Sequence, residues 1–200
     1  WFEYKNSQKK YFLVLIGLSS GFAVLVKWLV GLLIYAIWFI SIGVNDKREF
    51  LKIKSYWPMI GSLFITLLVF IPWQVYILIE YPLESSYEFA YNTKHFFEPI
   101  ETHSGNLWFH FKAIENIYGT GDAVPYLYLL GLVIYLKKVQ LKIYRVATVS
   151  AILITYLFFT IATTKMISFC IIVSPFVFLG LASLIDAFLT GLSNRINLNQ

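Results

Sequence analysis

The side chains best suited to chemistry in this sequence are two lysines beside apolar segments and three histidines in one polar region. Lys27 and Lys165 each border an apolar run, and the histidines are His95, His103 and His110. Ammonium groups and imidazoles donate hydrogen bonds to anionic oxygens, and such charge-assisted bonds are stronger than neutral ones. If these side chains face one surface, they would suit an anionic headgroup, especially a phosphate.

Each of these residues also has a structural interpretation. Lys27 could turn a helical hairpin and extend its ammonium to the lipid headgroups, and Lys165 could anchor a helix end in the same way. His110 borders an apolar stripe, which favours packing. His95 and His103 are eight residues apart in a polar region, a spacing that indicates no specific metal site. Both interpretations stay open at this level.

The sequence contains no familiar motif of a soluble enzyme. A glycine-rich phosphate loop, a nucleophile elbow, an HExxH motif and a CxxC pair are all missing. Glu98 and Glu101 are three residues apart, but Pro99 between them favours a solvated acidic loop. The single Cys170 cannot form an internal disulfide. We therefore assign no catalytic residue and no metal ligand from motifs.

The composition is that of a membrane protein. Hydrophobic residues make up 58% of the chain and charged residues only 14%, with a mean hydropathy of +0.69. Soluble domains carry about 45–50% apolar and about 25% charged residues. Aromatic residues reach 19%, which favours contact with lipid headgroups. The net charge of +5 comes from basic residues beside apolar runs, so it indicates membrane orientation rather than nucleic-acid binding.

We predict an all-α, polytopic membrane protein with about six transmembrane helices, each near 20 residues or somewhat shorter. Lys27 interrupts the first apolar run, which predicts two short helices joined by a tight turn at Lys27 and Trp28. Because the sequence opens with Trp1 and has no signal peptide, we expect residues 1–200 to be a transmembrane part of a longer protein. The predicted spans are 12–26, 29–45, 57–79, 123–137, 146–163 and 167–188.

Basic residues predict the orientation of these spans. With six crossings, twelve of the sixteen lysines and arginines fall on one side, which marks the cytoplasmic face. Both ends of the chain would then be cytoplasmic, and the long polar region 80–122 would be extracytoplasmic. The four basic residues on the outer side are Lys27, Lys94, Lys112 and Lys165. Lys27 and Lys165 are thus expected in the same layer as the histidines.

Within the long loop, residues 106–118 have the apolar periodicity of a helix. Leu107, Phe111, Ile114 and Tyr118 form one stripe, and the following glycines predict the end of the helix. Such a helix would lie along the outer membrane surface. Packing on the protein's own spans is the equal alternative.

Four segments in order give the chain a resemblance to a known family. A small-residue helix ends at Lys27, Pro72 and Trp73 precede the large loop, and that loop holds two histidines and an aromatic run. The fourth segment begins at Thr164 and Lys165 and extends to a proline at 175. This order resembles bacterial membrane glycosyltransferases of the protein O-mannosyltransferase and aminoarabinose transferase type, which have the GT-C fold. Trp28 stands where that family usually has glycine.

The resemblance implies an activity at the outer face of the bacterial cytoplasmic membrane. The donor would be a sugar carried on polyprenyl phosphate, and the acceptor a hydroxyl of a lipid, glycan or protein. Lys27 and Lys165 would stabilise the leaving phosphate, with His103 as a phosphate or acceptor contact and His95 as a further substrate-binding candidate. The family's catalytic aspartate would lie before Trp1, and a divalent metal is compatible with the family but has no site in this segment.

Two other kinds of membrane protein are alternatives. A transporter or flippase-like protein would show ionisable residues at mid-depth of its spans, whereas here the polar residues gather near the span ends. A lipid-linked polymerase or ligase would share the phosphate chemistry at the outer face. An acidic residue in an upstream outer loop would favour the transferases over a transporter.

Overall fold

A computed structural model describes residues 2–45, 47–119 and 121–197, and every regular element in those ranges is a helix. The prediction of an all-α protein is therefore confirmed. The chain forms two compact units. Unit 1 comprises residues 1–94 with Val149–Ile154, and unit 2 comprises His95–Thr148 with Thr155–Gln200.

Unit 1 begins with a helical hairpin. Helix α1 (Phe2–Ser7) leads into α2 (Tyr11–Lys27), which is followed by a 3₁₀ segment (Trp28–Leu32) and α3 (Leu33–Asn45). The chain reverses at Trp28, whose φ of 50° lies in the left-handed region that favours glycine. After the turn Gly31 packs directly on the α2 backbone, since an added Cβ would lie 2.5 Å from the amide nitrogen of Val24.

The remainder of unit 1 is dominated by one long helix. Short helix α4 (Lys47–Phe50) and a 3₁₀ turn (Ile53–Tyr56) precede α5 (Trp57–Glu80), and α6 (Pro82–Phe97) follows it. The structure places α5 almost at the predicted 57–79. It runs through Pro72 without ending there, as the predicted span did.

Helix α2 packs closely on α5 because glycines remove the side chains between them. A Cβ on Gly17 would lie 2.6 Å from the Ser62 carbonyl oxygen, and one on Gly21 would lie 2.5 Å from Val69 Cβ. This spacing of four residues is the small-residue pattern that lets membrane helices approach. Thr66 Oγ1 on α5 donates to the Gly17 carbonyl of α2 at 2.9 Å, and the Tyr35 hydroxyl of α3 lies 2.6 Å from the same Thr66 atom.

Unit 2 contains the later helices. Two short helices, α7 (Phe109–Lys112) and α8 (Ile114–Tyr118), precede α9 (Val124–Lys138) and α10 (Lys142–Ile161), of which Val149–Ile154 groups with unit 1. A 3₁₀ segment (Ile167–Val173) opens α11 (Ser174–Asn197). Helices α9 and α11 touch where Gly131 meets Gly180, as a Cβ on Gly131 would lie 2.6 Å from the Gly180 carbonyl oxygen.

Four helical segments of the described ranges are long and apolar enough to cross a membrane. They cover Tyr11–Val44, Ile53–Glu80, Lys142–Ile161 and Ile167–Asn194. The count is lower than the predicted six for two physical reasons. The stretch Tyr11–Val44 counts as one segment because its helical residues are contiguous, yet it contains the two short helices α2 and α3 on either side of the predicted turn at Lys27 and Trp28. Helix α9 has only 15 residues, about 22 Å of helix against a hydrocarbon core of about 30 Å.

The polar region 80–122 is more helical than the sequence indicated. The 16-residue helix α6 occupies its first part, with Pro82 at its start and Glu84 in its first turn. The helix predicted over 106–118 is two short helices instead, divided at Ala113, although Ala113 itself keeps helical backbone angles. Its predicted end is correct: α8 stops at Tyr118, and Gly119 follows with a φ of 137°.

Candidate functional site

The candidate site lies in unit 2, where the segment Thr163-Thr164-Lys165 binds residues 95–103, in the middle of the polar region 80–122, through its backbone. The amide of Thr163 donates to the carbonyl of Phe96 at 3.2 Å, and that of Thr164 to the carbonyl of His95 at 3.0 Å. The amide of Lys165 donates to the carbonyl of His103 at 2.9 Å. We call residues 163–165 the strap, because three successive amides hold a segment about 65 residues earlier in sequence.

Threonine hydroxyls reinforce the strap. Thr163 Oγ1 donates to the Phe96 carbonyl at 2.8 Å, and Thr164 Oγ1 donates to the Glu98 carbonyl at 2.9 Å. The Thr164 hydroxyl also accepts from the amide of Ile100 at 3.1 Å. Thr164 is only 1% exposed, so these bonds form away from water, where an unpaired group would be costly. The strap therefore fixes the backbone of 95–103.

The Lys165 side chain turns inward and caps the end of α10. Its Nζ donates to the carbonyls of Phe159, Thr160 and Ala162 at 3.1, 2.5 and 2.6 Å. The last carbonyls of a helix have no partner within the helix, and they carry partial negative charge. An ammonium group has three N–H donors, and the three carbonyls accept from all of them. Lys165 is 4% exposed.

A cavity of about 640 Å³ opens beside the strap. Its hydrogen-bonding residues are Thr102, His103, Ser104, Asn116, Lys165 and Ser168. Its apolar residues are Phe109, Ile117, Met166, Ile167 and Ile171. This size and mixture fall within the range of pockets for small organic ligands. Two of the predicted substrate-binding residues, His103 and Lys165, thus meet at one cavity.

The other two predicted site residues are placed differently. His95 contributes its carbonyl to the strap, and its partly buried imidazole does not line the cavity. Lys27 is exposed and is the last residue of α2, directly before the hairpin turn of unit 1. The position of Lys27 agrees with its structural interpretation as a turn residue.

His110 is buried in an aromatic cluster and does not line the cavity. It is 1% exposed, and its ring lies 5.2 Å from that of Phe109, 6.2 Å from that of Phe159 and 6.3 Å from that of Phe169. Neither ring nitrogen has a hydrogen-bond partner of good geometry among the described residues. The prediction that His110 packs rather than binds is consistent with this position.

Burial shifts the pKa values of two groups in this region. Burial lowers the pKa of the His110 imidazole, the Lys165 ammonium lowers it further, and the Phe159 backbone opposes part of the effect. Burial also lowers the pKa of Lys165 itself, opposed by Cys170. At neutral pH the His110 imidazole is therefore neutral.

The acidic residues of the region do not form a catalytic pair. Glu98 and Glu101 are both exposed, in agreement with a solvated loop. Among the described residues no three His, Cys, Asp or Glu side chains lie close enough together to hold a metal ion. The described residues thus assign neither a general base nor a place for a divalent metal.

Most of the cavity's polar residues were not predicted from sequence. Ser104, Asn116 and Ser168 come from three separate segments, and no spacing links them. Thr163 and Thr164 are a weak sequence signal for the strap, since adjacent hydroxyls beside a lysine at a helix end are suited to hydrogen-bond to backbone groups.

Comparisons with family models, curated proteins and solved structures found no match for this chain. The resemblance to membrane glycosyltransferases therefore remains a prediction from the four sequence segments. What the structure adds is a multi-helical protein whose apolar segments are long enough to cross a membrane.

Proposed function

We propose that this protein transfers a sugar from a polyprenyl-phosphate donor to an acceptor hydroxyl at the outer face of the bacterial cytoplasmic membrane. The proposal includes the six-crossing arrangement with both ends cytoplasmic and the polar region 80–122 outside. The acceptor belongs to a lipid, glycan or protein. The sequence segments that resemble the glycosyltransferases give the reaction class.

One structural observation carries the proposal: His103 and Lys165, selected from the sequence for binding a lipid-linked sugar, line the same cavity. The cavity joins hydrogen-bonding groups to an apolar wall that includes Ile167 and Ile171, at the start of an apolar helical segment. A lipid-linked sugar needs this combination, since one end of it is polar and the other is hydrocarbon.

In the proposed reaction the bond between the anomeric carbon and the phosphate oxygen breaks, and the acceptor oxygen bonds to that carbon with inversion. The acceptor's proton goes to a base outside this segment, and the bonding electron pair leaves with the phosphate. Fixed positive charge near the phosphate lowers the barrier, because negative charge develops there. We assign that charge to Lys27 and Lys165, with His103 and His95 as further substrate contacts.

The two lysines would act differently. Lys165 can contribute its charge but can donate to a phosphate only by releasing a carbonyl of α10. Lys27 is exposed at the hairpin turn, and its role rests on residue type and predicted sidedness. Lys27 is therefore the better residue for a direct test.

The test is binding of undecaprenyl phosphate to the full-length protein in nanodiscs. We expect Lys27→Ala and His103→Ala each to weaken binding about ten- to a hundredfold, the usual effect of one lost charge-assisted hydrogen bond. Lys54→Ala is the matched control, since Lys54 is an equally exposed lysine predicted on the cytoplasmic side. Thermal unfolding of each variant verifies that the fold is retained.

Unchanged binding in both variants, or no binding by the wild-type protein, would overturn the phosphate site. The transporter alternative would then be preferred. Reduced binding with an unchanged control leads to the second measurement, sugar transfer from a loaded donor to extracted envelope acceptors.

A further inference from the structure

The segment that joins α3 to α5 in unit 1 holds two large aliphatic side chains out of the fold. Leu51 is 84% exposed and Ile53 is 75% exposed. They lie where one apolar segment, Tyr11–Val44, has ended and the next, Ile53–Glu80, begins. Clustered exposed apolar surface marks an interaction site for a protein or a membrane.

This joining segment is tied down by contacts on both sides of the two aliphatic residues. The Glu49 carboxylate accepts from Lys52 Nζ at 3.0 Å, and the Tyr56 hydroxyl donates to the Phe50 carbonyl at 2.9 Å. The Phe50 ring packs on α3 at Gly43, where an added Cβ would lie 2.7 Å from the ring. The aliphatic side chains are therefore held outward by folded structure.

Basic side chains surround the two aliphatic ones. Lys47 and Arg48 precede Leu51, and Lys52 lies between Leu51 and Ile53. All three basic residues are exposed. The segment thus presents cationic and apolar groups side by side, which is typical of protein surfaces that contact lipid headgroups.

Lys5 of α1 adds a further positive charge at the same place. Hydrogen bonds from Ser55 and Lys52 and the charge of Lys52 hold the pKa of Glu49 below its usual range, and the charge of Lys5 lowers it further. Lys5 is therefore within electrostatic reach of the joining segment. We call this group of side chains the basic patch: Lys5, Lys47, Arg48, Leu51, Lys52 and Ile53.

The patch continues the exposed apolar face of α5. Trp57, Phe64 and Leu68 are 62%, 59% and 58% exposed, and their spacings of seven and four residues place them on one side of the helix. Ile53 precedes Trp57 by four residues at the end of this face. In a bilayer the face of α5 contacts acyl chains, and the patch lies at the level of the headgroups, where tryptophan is also common.

The charge of the surrounding sequence selects an anionic partner. Segments 1–10 and 46–54 together contain seven lysines and arginines and three acidic residues. A surface with this excess of positive charge attracts anionic lipids, while a zwitterionic headgroup offers it no net charge.

We infer that the basic patch binds the surface of a bilayer that contains anionic phospholipids. Its ammonium and guanidinium groups donate to the headgroup phosphates, and Leu51 and Ile53 insert among the acyl chains below them. The inference concerns a surface in unit 1 and does not depend on sugar transfer.

The test is native mass spectrometry of the full-length protein in detergent, which resolves individual bound lipids. Phosphatidylglycerol is expected to bind more than tenfold more tightly than phosphatidylcholine. Lys5→Gln with Lys47→Gln is expected to weaken phosphatidylglycerol binding more than tenfold, because each cation beside an anionic surface contributes about fivefold. The matched control is Lys94→Gln with Lys112→Gln, two exposed lysines outside the patch.

A second pair of variants tests the insertion of the aliphatic side chains. Leu51→Ser with Ile53→Ser is expected to weaken phosphatidylglycerol binding about tenfold, because apolar area returns to water. The matched control is Leu83→Ser with Ile79→Ser in the same unit, where the side chains are 82% and 70% exposed.

Equal binding of the two lipids, or equal binding by patch variants and controls, would overturn the inference. Thermal unfolding verifies that each variant keeps its fold. Lys5→Arg with Lys47→Arg keeps both charges and should bind phosphatidylglycerol like the wild type. An equal loss in this variant would show that charge is not what the patch supplies, and it would also overturn the inference.

The outcome is distinguishable from that of the proposed function. Nanodiscs made of phosphatidylglycerol keep the patch occupied, so undecaprenyl phosphate added to them reports on Lys27 and His103. If its binding depends on Lys27 while phosphatidylglycerol does not distinguish the Lys5 and Lys47 variant from its control, only the basic patch is wrong. If the reverse is found, the patch stands and the transferase proposal falls.

Discussion

At the scale of single residues, Lys165 has the clearest measurable role, which is to stabilise the end of α10. We expect Lys165→Met to lower the free energy of unfolding by about 2–3 kcal/mol. The change keeps an apolar stem but leaves the carbonyls of Phe159, Thr160 and Ala162 without their charged donor. Thermal or denaturant unfolding in detergent measures it.

Lys94→Met is the control, since Lys94 is exposed. A surface substitution of this kind should change stability by less than about 0.5 kcal/mol. Equal stability of the two variants would mean that the Lys165 ammonium does not cap the helix.

His110 gives a prediction about pH. Its pKa in the folded protein lies below the ordinary value of 6.5, mainly through burial. As pH falls below that value, the unfolded chain binds a proton that the folded protein resists, so stability decreases until the folded pKa is passed. Above the ordinary value of 6.5 the imidazole is neutral in both the folded and the unfolded state, so His110 does not make the stability depend on pH there.

The corresponding measurement is unfolding of wild type and His110→Phe between pH 7.5 and pH 5. The variant removes the titrating group and keeps an aromatic ring among Phe109, Phe159 and Phe169. We expect the wild type to lose more stability than the variant over this interval. Parallel curves would show that His110 does not account for the pH dependence.

At the scale of helices, the contact between α2 and α5 depends on glycine. We expect Gly17→Ala to destabilise unit 1 by about 1–3 kcal/mol, because its Cβ would lie 2.6 Å from the Ser62 carbonyl oxygen and force the helices apart. Gly61→Ala on α5 is the control, since nothing lies within 4 Å of its added Cβ. The control should be neutral or slightly stabilising.

Unfolding followed by circular dichroism separates the two variants. Loss of stability in both would indicate a general sensitivity to alanine, not a close helix contact. The result would apply to unit 1, where both glycines lie.

Local sequence signals predicted some helices better than others. A long apolar run between polar ends placed α5 within a residue of its observed limits. Helix α6 was missed because its composition is polar, although Pro82 and Glu84 are typical of a helix start. The division between α7 and α8 gave no signal, since it falls at Ala113, a residue that favours helix and keeps helical backbone angles in the structure.

At the scale of the whole molecule, hydropathy predicted the class, and sidedness selected two residues of the cavity. Counting lysines and arginines predicted one outer layer for Lys27, Lys165 and the three histidines, and of these His103 and Lys165 line the cavity in unit 2. The sidedness itself stays a prediction. The remaining polar groups of that cavity come from segments far apart in the chain. No periodicity links Asn116 with Ser168, so only the fold brings them together.

The strap has a consequence for the order in which the protein folds during synthesis. The hydrogen bonds that fix the backbone of 95–103 join it to residues 62–69 positions later. Residues 163–165 are translated after residues 95–103, and contacts over such a separation in sequence form slowly. Residues 95–103 therefore leave the ribosome with these carbonyls unpaired, and the carbonyls stay unpaired until Lys165 has emerged and α10 is in place.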